Sequence, residues 1–176
     1  MEDFIYNNLN YPILSLITFL PLLGAVFILL FRNEYFIKWF AFAITFATLI
    51  ISLPIYRYFD KSTYKMQFVE SYMWISAWNI NYKVGVDGIS VLFIILVALL
   101  SILCVAVSWK SVQHKIKEFF VSLLVLETAM FGIFISLDTF LFYLFWELTL
   151  IPMFLLIGVW GGPKGYIQQL NLFYLC

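Results

Sequence analysis

Two glutamates stand inside apolar runs that carry no other charge. Glu147 lies within Phe142-Tyr143-Leu144-Phe145-Trp146-Glu147-Leu148-Thr149-Leu150-Ile151-Pro152, and it is the only ionisable carboxylate from Thr139 to Pro163. Glu127 alone interrupts the run from Phe119 to Leu137. At a helical rise of ~1.5 Å per residue, Glu147 sits roughly 12 Å into its run, near mid-bilayer depth. An acid at that depth costs about 2.5–3.5 kcal/mol on insertion scales, so such residues mark ion and proton paths by default. The chemistry they offer is reversible protonation. An apolar setting favours the neutral acid, a nearby ammonium favours the carboxylate, and moving the cation loads or releases a proton. The plainer reading is a carboxyl kept neutral and hydrogen-bonded inside a helix bundle.

Spacing relates the two acids. Only Ser136-Leu137-Asp138-Thr139 joins their runs, which must therefore form an antiparallel hairpin. Counted from Asp138 at ~1.5 Å per residue, Glu127 and Glu147 lie about 16 and 13 Å deep, within one helical turn of each other. They form a shared polar path if both lie on facing stripes; otherwise each meets a different neighbour. Pro152 cannot donate to the carbonyl of Leu148 and favours a kink, which leaves an acceptor beside Glu147 for water or a neighbour to satisfy. Lys38, Lys61, Lys65, Lys83, Lys110, Lys115, Lys117 and Lys164 all lie in loops or near helix ends. None reaches the depth of Glu147, so a buried cationic partner has to come from outside this sequence.

The elements that carry these acids follow from composition. Hydrophobic residues make up 64% and charged residues 11% of the 176, with a mean hydropathy of +0.99. That excludes a soluble domain and predicts an all-α polytopic membrane protein. A net charge of zero gives no reason to expect nucleic acid. Five runs are long enough to span a ~30 Å hydrocarbon layer: 12–31, 39–56, 88–109, 119–137 and 139–160. No alternation of the kind a β-barrel needs appears in them. The first run follows acidic Glu2 and Asp3 and precedes no small-residue cleavage site, so it reads as a helix rather than a cleaved signal.

Loop charges orient the helices. Arg32, Lys38, Lys110, Lys115, Lys117 and Lys164 collect on one side in short loops, while Arg57, Lys61, Lys65 and Lys83 share one longer loop opposite. The positive-inside rule then places the six-cation side in the cytoplasm and the N-terminus outside. In the longer loop Tyr72, Trp74, Trp78, Ile80 and Tyr82 recur at period two, predicting short strands or a hairpin with one aromatic face on the membrane interface or on neighbouring helices. His114, the only histidine, lies among the cytoplasmic lysines and reads as solvated rather than as a relay. Cys104 reads as a small buried hydrophobe. Cys176 ends the sequence, and neither cysteine has metal-ligand spacing. The organisation is therefore two first helices over 1–56, an outer aromatic loop over 57–87, a third helix with its basic loop over 88–117, a helical hairpin over 118–162 and a tail over 163–176.

With those residues in place, the stretch from Asp138 to Gly162 closely resembles the chain M family of proton-pumping NADH:quinone oxidoreductase, known as chain 4 in mitochondrial respiratory complex I. The combination Trp146-Glu147-Leu148 with Leu150-Ile151-Pro152-Met153 is the specific part. Gly85-Val86-Asp87-Gly88-Ile89-Ser90 before the third helix and Phe19, Pro21 and Gly24 in the first also fit. The resemblance implies the first part of a fourteen-helix antiporter-like fold with two inverted five-helix repeats. It implies proton translocation coupled to quinone reduction, with Glu147 pairing with a lysine two helices later and Glu127 in a secondary role. No cofactor or metal is implied for this chain; NAD, FMN, iron–sulfur clusters and quinone belong to partner subunits. The implied partners are the antiporter-like chains L and N, small membrane chains and the bilayer, in a bacterial or mitochondrial inner membrane.

From Gly165 the sequence leaves the family pattern. Moving the frame back one base over 165–172, with A/T-rich codons, can restore an Arg-Ile-Tyr-Ser-Thr-Ile-Lys-Phe continuation, so an N-terminal fragment truncated by a frameshift near residue 165 is expected. Two other readings compete: a subunit of a multi-subunit cation/proton antiporter, and a structural fragment that moves nothing.

Overall fold

Short polar side chains start three of the helices by accepting hydrogen bonds from otherwise orphaned backbone N–H groups. Asn33 takes those of Tyr35 and Phe36, Asp87 that of Ser90, and Asp138 those of Phe140 and Leu141. The computed structural model describes residues 4–6, 11–63, 65–75 and 80–161. In chain order it contains β1 (Phe4–Tyr6), α1 (Ile13–Leu30), α2 (Glu34–Tyr58), β2 (Met66–Ile75), β3 (Ile80–Val86), α3 (Gly88–Ser111), α4 (Ile116–Ile135) and α5 (Thr139–Trp160). All five helices are long and apolar enough to cross a membrane, as the all-α polytopic reading requires. The tail over 163–176, with Lys164 and Cys176, and Trp78 in the aromatic loop lie outside the described residues. Because Asn33 caps it, α2 begins at Glu34 and runs through Lys38, earlier than the charge-free run at Trp39.

Outside the helices, β2 pairs antiparallel with β3, from Gln67 opposite Val86 to Ile75 opposite Ile80, and β1 runs parallel beside β2. The ladder slips between Gln67 and Glu70, where Phe68 adopts a left-handed φ of 54°. This is a β-bulge that re-aims the strand. Gln67, Phe68, Val69 and Glu70 are consequently all buried in succession, whereas Tyr72 and Trp74 are exposed. The hairpin is seated on the α4–α5 turn: the Leu137 N–H donates to the Lys83 carbonyl at 3.0 Å. A Cβ on Gly85 would come within 2.7 Å of Leu137 Cδ1, so a larger residue there would oblige the Leu137 side chain to move.

At the opposite end, lysines bind helix C-termini. Lys38 Nζ donates to the Trp109 carbonyl at 2.8 Å, and Lys117 Nζ donates to the Leu29 carbonyl. Each places a cation on unpaired carbonyls at the negative end of a helix dipole.

Helix α4 is the hub, packing against α1, α2, α3 and α5, while α5 rests on α4 and touches β3. The α4–α5 contact is close because Gly132 has no side chain: a Cβ there would lie 2.2 Å from the Phe145 ring. The buried apolar residues form two clusters. One, near the hairpin, includes Leu14, Ile17, Ile55, Ile94, Phe131 and Phe145. The other, near the basic loop, includes Ile28, Ala41, Val105, Phe120 and Leu124. Cys104 departs from expectation: it is exposed on α3. Where lipid and protein faces of a helix are both apolar, composition does not reveal which way a cysteine points.

Candidate functional site

Between the two apolar clusters lies a polar layer. On every helix of the central four, the sequence passes from one cluster to the other through hydroxyl or carboxyl side chains: Thr18 on α1, Thr45 and Thr48 on α2, Ser101 on α3, Glu127 and Thr128 on α4. Glu127, eight residues from the C-terminal end of α4 at Ile135, is thus near mid-helix and only 2% exposed. The α2 contribution follows from spacing, since Thr45, Thr48 and Ser52 recur at i, i+3 and i+7 on one face and are all fully buried.

Glu127 has an asymmetric setting. A hydrogen bond of 2.8 Å joins its Oε1 to Thr48 Oγ1. Ser101 faces the same carboxyl from α3, yet Oε2 is buried without a hydrogen-bond partner. Thr48 Oγ1 also lies 2.8 Å from the Thr45 carbonyl. Such a carboxyl, screened from water and joined to one hydroxyl, can take up or release a single proton.

Glu147 is placed differently. It is exposed on α5, on the side away from α4, whereas Leu141, Phe145 and Pro152 face inward and are buried. Tyr143, one turn earlier and also exposed, interacts with its carboxyl. The two acids are therefore not side by side: Phe145 packs on Gly132 between the helices, and Glu147 looks outward. Pro152 is enclosed in a continuous α5. His114 is exposed; its carbonyl accepts from Trp160 Nε1 at 3.1 Å, and its ring stacks over Trp160. Among the described residues no group of three or more His, Cys, Asp or Glu comes together to hold a metal ion.

A third carboxylate escaped sequence reasoning. Glu70 of β2 is buried at the start of α1, where Oε1 accepts from the Leu14 N–H at 2.9 Å and Oε2 from the Ser15 N–H at 3.2 Å and Ser15 Oγ at 2.5 Å. Ser15 Oγ is 3.0 Å from the Tyr82 hydroxyl. The signal available beforehand was that α1 starts after Pro12 with no side-chain cap of its own.

No family model matches the chain. Curated relatives do. The chain is 44% identical over 170 residues to NADH-quinone oxidoreductase subunit M of Rhodobacter capsulatus, an alignment covering 92% of this chain and 32% of that protein. It is 38% identical to NADH-ubiquinone oxidoreductase chain 4 of Arabidopsis thaliana, over 97% of this chain and 34% of that one. F(420)H(2) dehydrogenase subunit M of Methanosarcina mazei is 38% identical over 87% of this chain and 31% of its own length. The chain thus spans about a third of the length of the curated relatives it matches. A subunit of the membrane-bound sulfane sulfur reductase, an archaeal respiratory membrane complex, shares the fold with a TM-score of 0.70 at 17% identity, covering 84% of this chain and 23% of that one.

Proposed function

We propose, from the membership of this chain in the subunit M and chain 4 family of NADH-quinone oxidoreductases, that it forms part of a proton-translocating membrane subunit of such a complex. The observation that carries the proposal is the position of Glu127. A carboxyl sealed at mid-helix between two apolar clusters, with one oxygen unpartnered, is costly and is retained where a proton must pause within the membrane. Glu147 supplies the second station. It stands on the outward face of α5, which is the least enclosed of the five helices, and the further two thirds present in the relatives would cover that face and bring a cation to it.

In this reading the chain contributes no redox centre. NAD, FMN, iron–sulfur clusters and quinone are handled by partner subunits, and the membrane partners are the antiporter-like chains L and N and smaller chains. The membrane in this reading is a bacterial or mitochondrial inner membrane, and the loop lysines support, by the positive-inside rule, an orientation with the hairpin outside and the basic loops inside.

The test uses membrane vesicles carrying the assembled complex with a full-length subunit. Glu147→Gln abolishes or sharply reduces NADH-driven proton uptake while assembly persists, and Glu127→Gln gives a milder loss. Full pumping in both variants rejects the proposal.

A further inference from the structure

Thr48 has one hydroxyl proton and two oxygen neighbours at bonding distance, the Thr45 carbonyl at 2.8 Å and Glu127 Oε1 at 2.8 Å. A carbonyl can only accept, and a hydroxyl donates once. One proton divided between two acceptors gives long, bent contacts, whereas both distances here match a full O–H···O bond of ~2.7–2.8 Å. Both bonds exist together only when the carboxyl brings a proton of its own. We infer that Glu127 is held as the neutral acid, its O–H donating to Thr48 Oγ1 while Thr48 donates to the Thr45 carbonyl, and that Thr48 is the positioning residue that senses the charge of the acid.

The surroundings agree. Thr48 from α2 and Ser101 from α3 are the groups that act on this carboxyl, and no charged group does. Helix α1 carries no ionisable side chain. On α2 the charges Glu34, Lys38 and Arg57 lie at the ends, and on α3 Lys110 lies in the last turn. On α5, Glu147 is on the far face. Among the described residues an ionised Glu127 would have no cation to meet, and burying an unpaired charge costs far more than burying the acid form.

This couples charge to a hydrogen-bond switch. In the ionised form the carboxylate has no proton to give, so the single Thr48 proton serves either the Thr45 carbonyl, which keeps its helical N–H partner, or Glu127, and one of the two Thr48 bonds is lost. Ionisation therefore loses a hydrogen bond in a site screened from water, so Thr48 resists ionisation of Glu127. Its place in proton transfer rests on the function proposed above, but the protonation state itself does not.

Infrared difference spectroscopy on the full chain in lipid vesicles tests it at neutral pH. Subtracting Glu127→Gln from the wild type leaves the carbonyl band of a protonated, hydrogen-bonded carboxyl, which shifts in deuterium oxide. Thr48→Val moves that band to higher frequency, and Thr48→Ser restores it. Glu127→Gln, an isosteric neutral side chain, leaves the thermal unfolding midpoint unchanged, which shows that the variant is folded. Loss of carboxylate bands in place of the protonated band overturns the inference, as does a band indifferent to Thr48→Val. Proton pumping is not the readout: normal pumping in both Glu147→Gln and Glu127→Gln together with the protonated band would remove the proposed function and leave this inference standing.

Discussion

The Glu70 carboxylate on β2 accepts a hydrogen bond from the backbone N–H of Leu14, 56 positions earlier in the chain, at 2.9 Å. It thereby caps α1, whose own N-cap residue, Pro12, supplies no side-chain bond. A carboxylate at this end also meets the positive pole of the helix dipole. The bulge at Phe68 is what makes the reach geometrically possible, since it turns Glu70 inward where strict alternation about Gln67 would not. The hairpin is thus fastened to the bundle by one charged group together with the Leu137–Lys83 bond.

Removing that group should loosen the whole outer layer. Hydrogen bonds to a charged acceptor contribute about 1.5–3 kcal/mol, and leaving the α1 N–H groups buried and unpaired adds to the loss. Glu70→Ala is therefore expected to lower stability by roughly 2–3 kcal/mol, and Glu70→Gln, which keeps one acceptor, by about half of that. Unfolding in detergent, paired with protease cleavage between β2 and β3, reads both effects. An alanine variant with unchanged unfolding and protection would show that the cap is ornamental.

Tyr82, beside this cap, gives a pH signature. Burial pushes its phenol up to about 12, with the negative charges nearby adding to the effect and the Ser15 hydrogen bond opposing it. A folded-state value above the unfolded one means that the stabilisation is fully present below the ordinary phenol range near 10 and is lost as pH rises from there towards 12. The alkaline ultraviolet titration of the wild type minus that of Tyr82→Phe should show a late-ionising tyrosine. A difference curve centred with the exposed tyrosines would refute the burial argument.

Some of this could be read from residues alone, and the reasons divide cleanly. Five spans are legible because a bilayer demands about twenty apolar residues at a stretch, and Glu127 and Glu147 are legible as charges against that background. Their directions are not. On α5 the lipid-facing and protein-facing residues are mostly alike in polarity, so nothing in the pattern distinguishes buried Phe145 from exposed Phe142 three residues earlier. The polar layer hides for a related reason: threonine and serine scatter through apolar helices, and only their shared level across α1 to α4 singles them out. The Glu70 cap depends on a bulge and on two distant segments meeting, which no local signal encodes.

Lys115 offers a gain in place of a loss. It lies just before α4 with φ 49° and ψ 44°, a left-handed conformation, and its side chain is exposed. An L-residue there carries a cost of about 1–2 kcal/mol, which glycine avoids. Glycine also makes the unfolded chain more flexible, giving back about 0.4–1 kcal/mol. Lys115→Gly should accordingly stabilise by roughly 0.5–1 kcal/mol, the difference between those two effects. Lys115→Val, β-branched and strained at positive φ, should destabilise. Chemical unfolding of the two variants under identical detergent conditions checks the sign, and a stabilising valine would contradict the assigned backbone conformation.

The α4–α5 contact sets where Glu147 stands, and Gly132 sets the contact. An added Cβ would fall 2.2 Å from Cγ and Cδ1 of Phe145, a distance at which the ring or the helix must move. Small residues at such crossings allow helix backbones to approach inside a membrane, where packing rather than hydrophobicity holds helices together. Overpacking of this kind costs about 1–3 kcal/mol, so Gly132→Ala should lower the unfolding midpoint and shift α5 outward. If the clash is the cause, shrinking the partner relieves it: Gly132→Ala combined with Phe145→Ala should lose less than the two single losses added together. A cysteine pair placed across α4 and α5 for cross-linking follows the displacement directly. Strict additivity of the two substitutions, with unaltered cross-linking in Gly132→Ala, would mean that the helices meet through other residues and that the outward aim of Glu147 has a different origin.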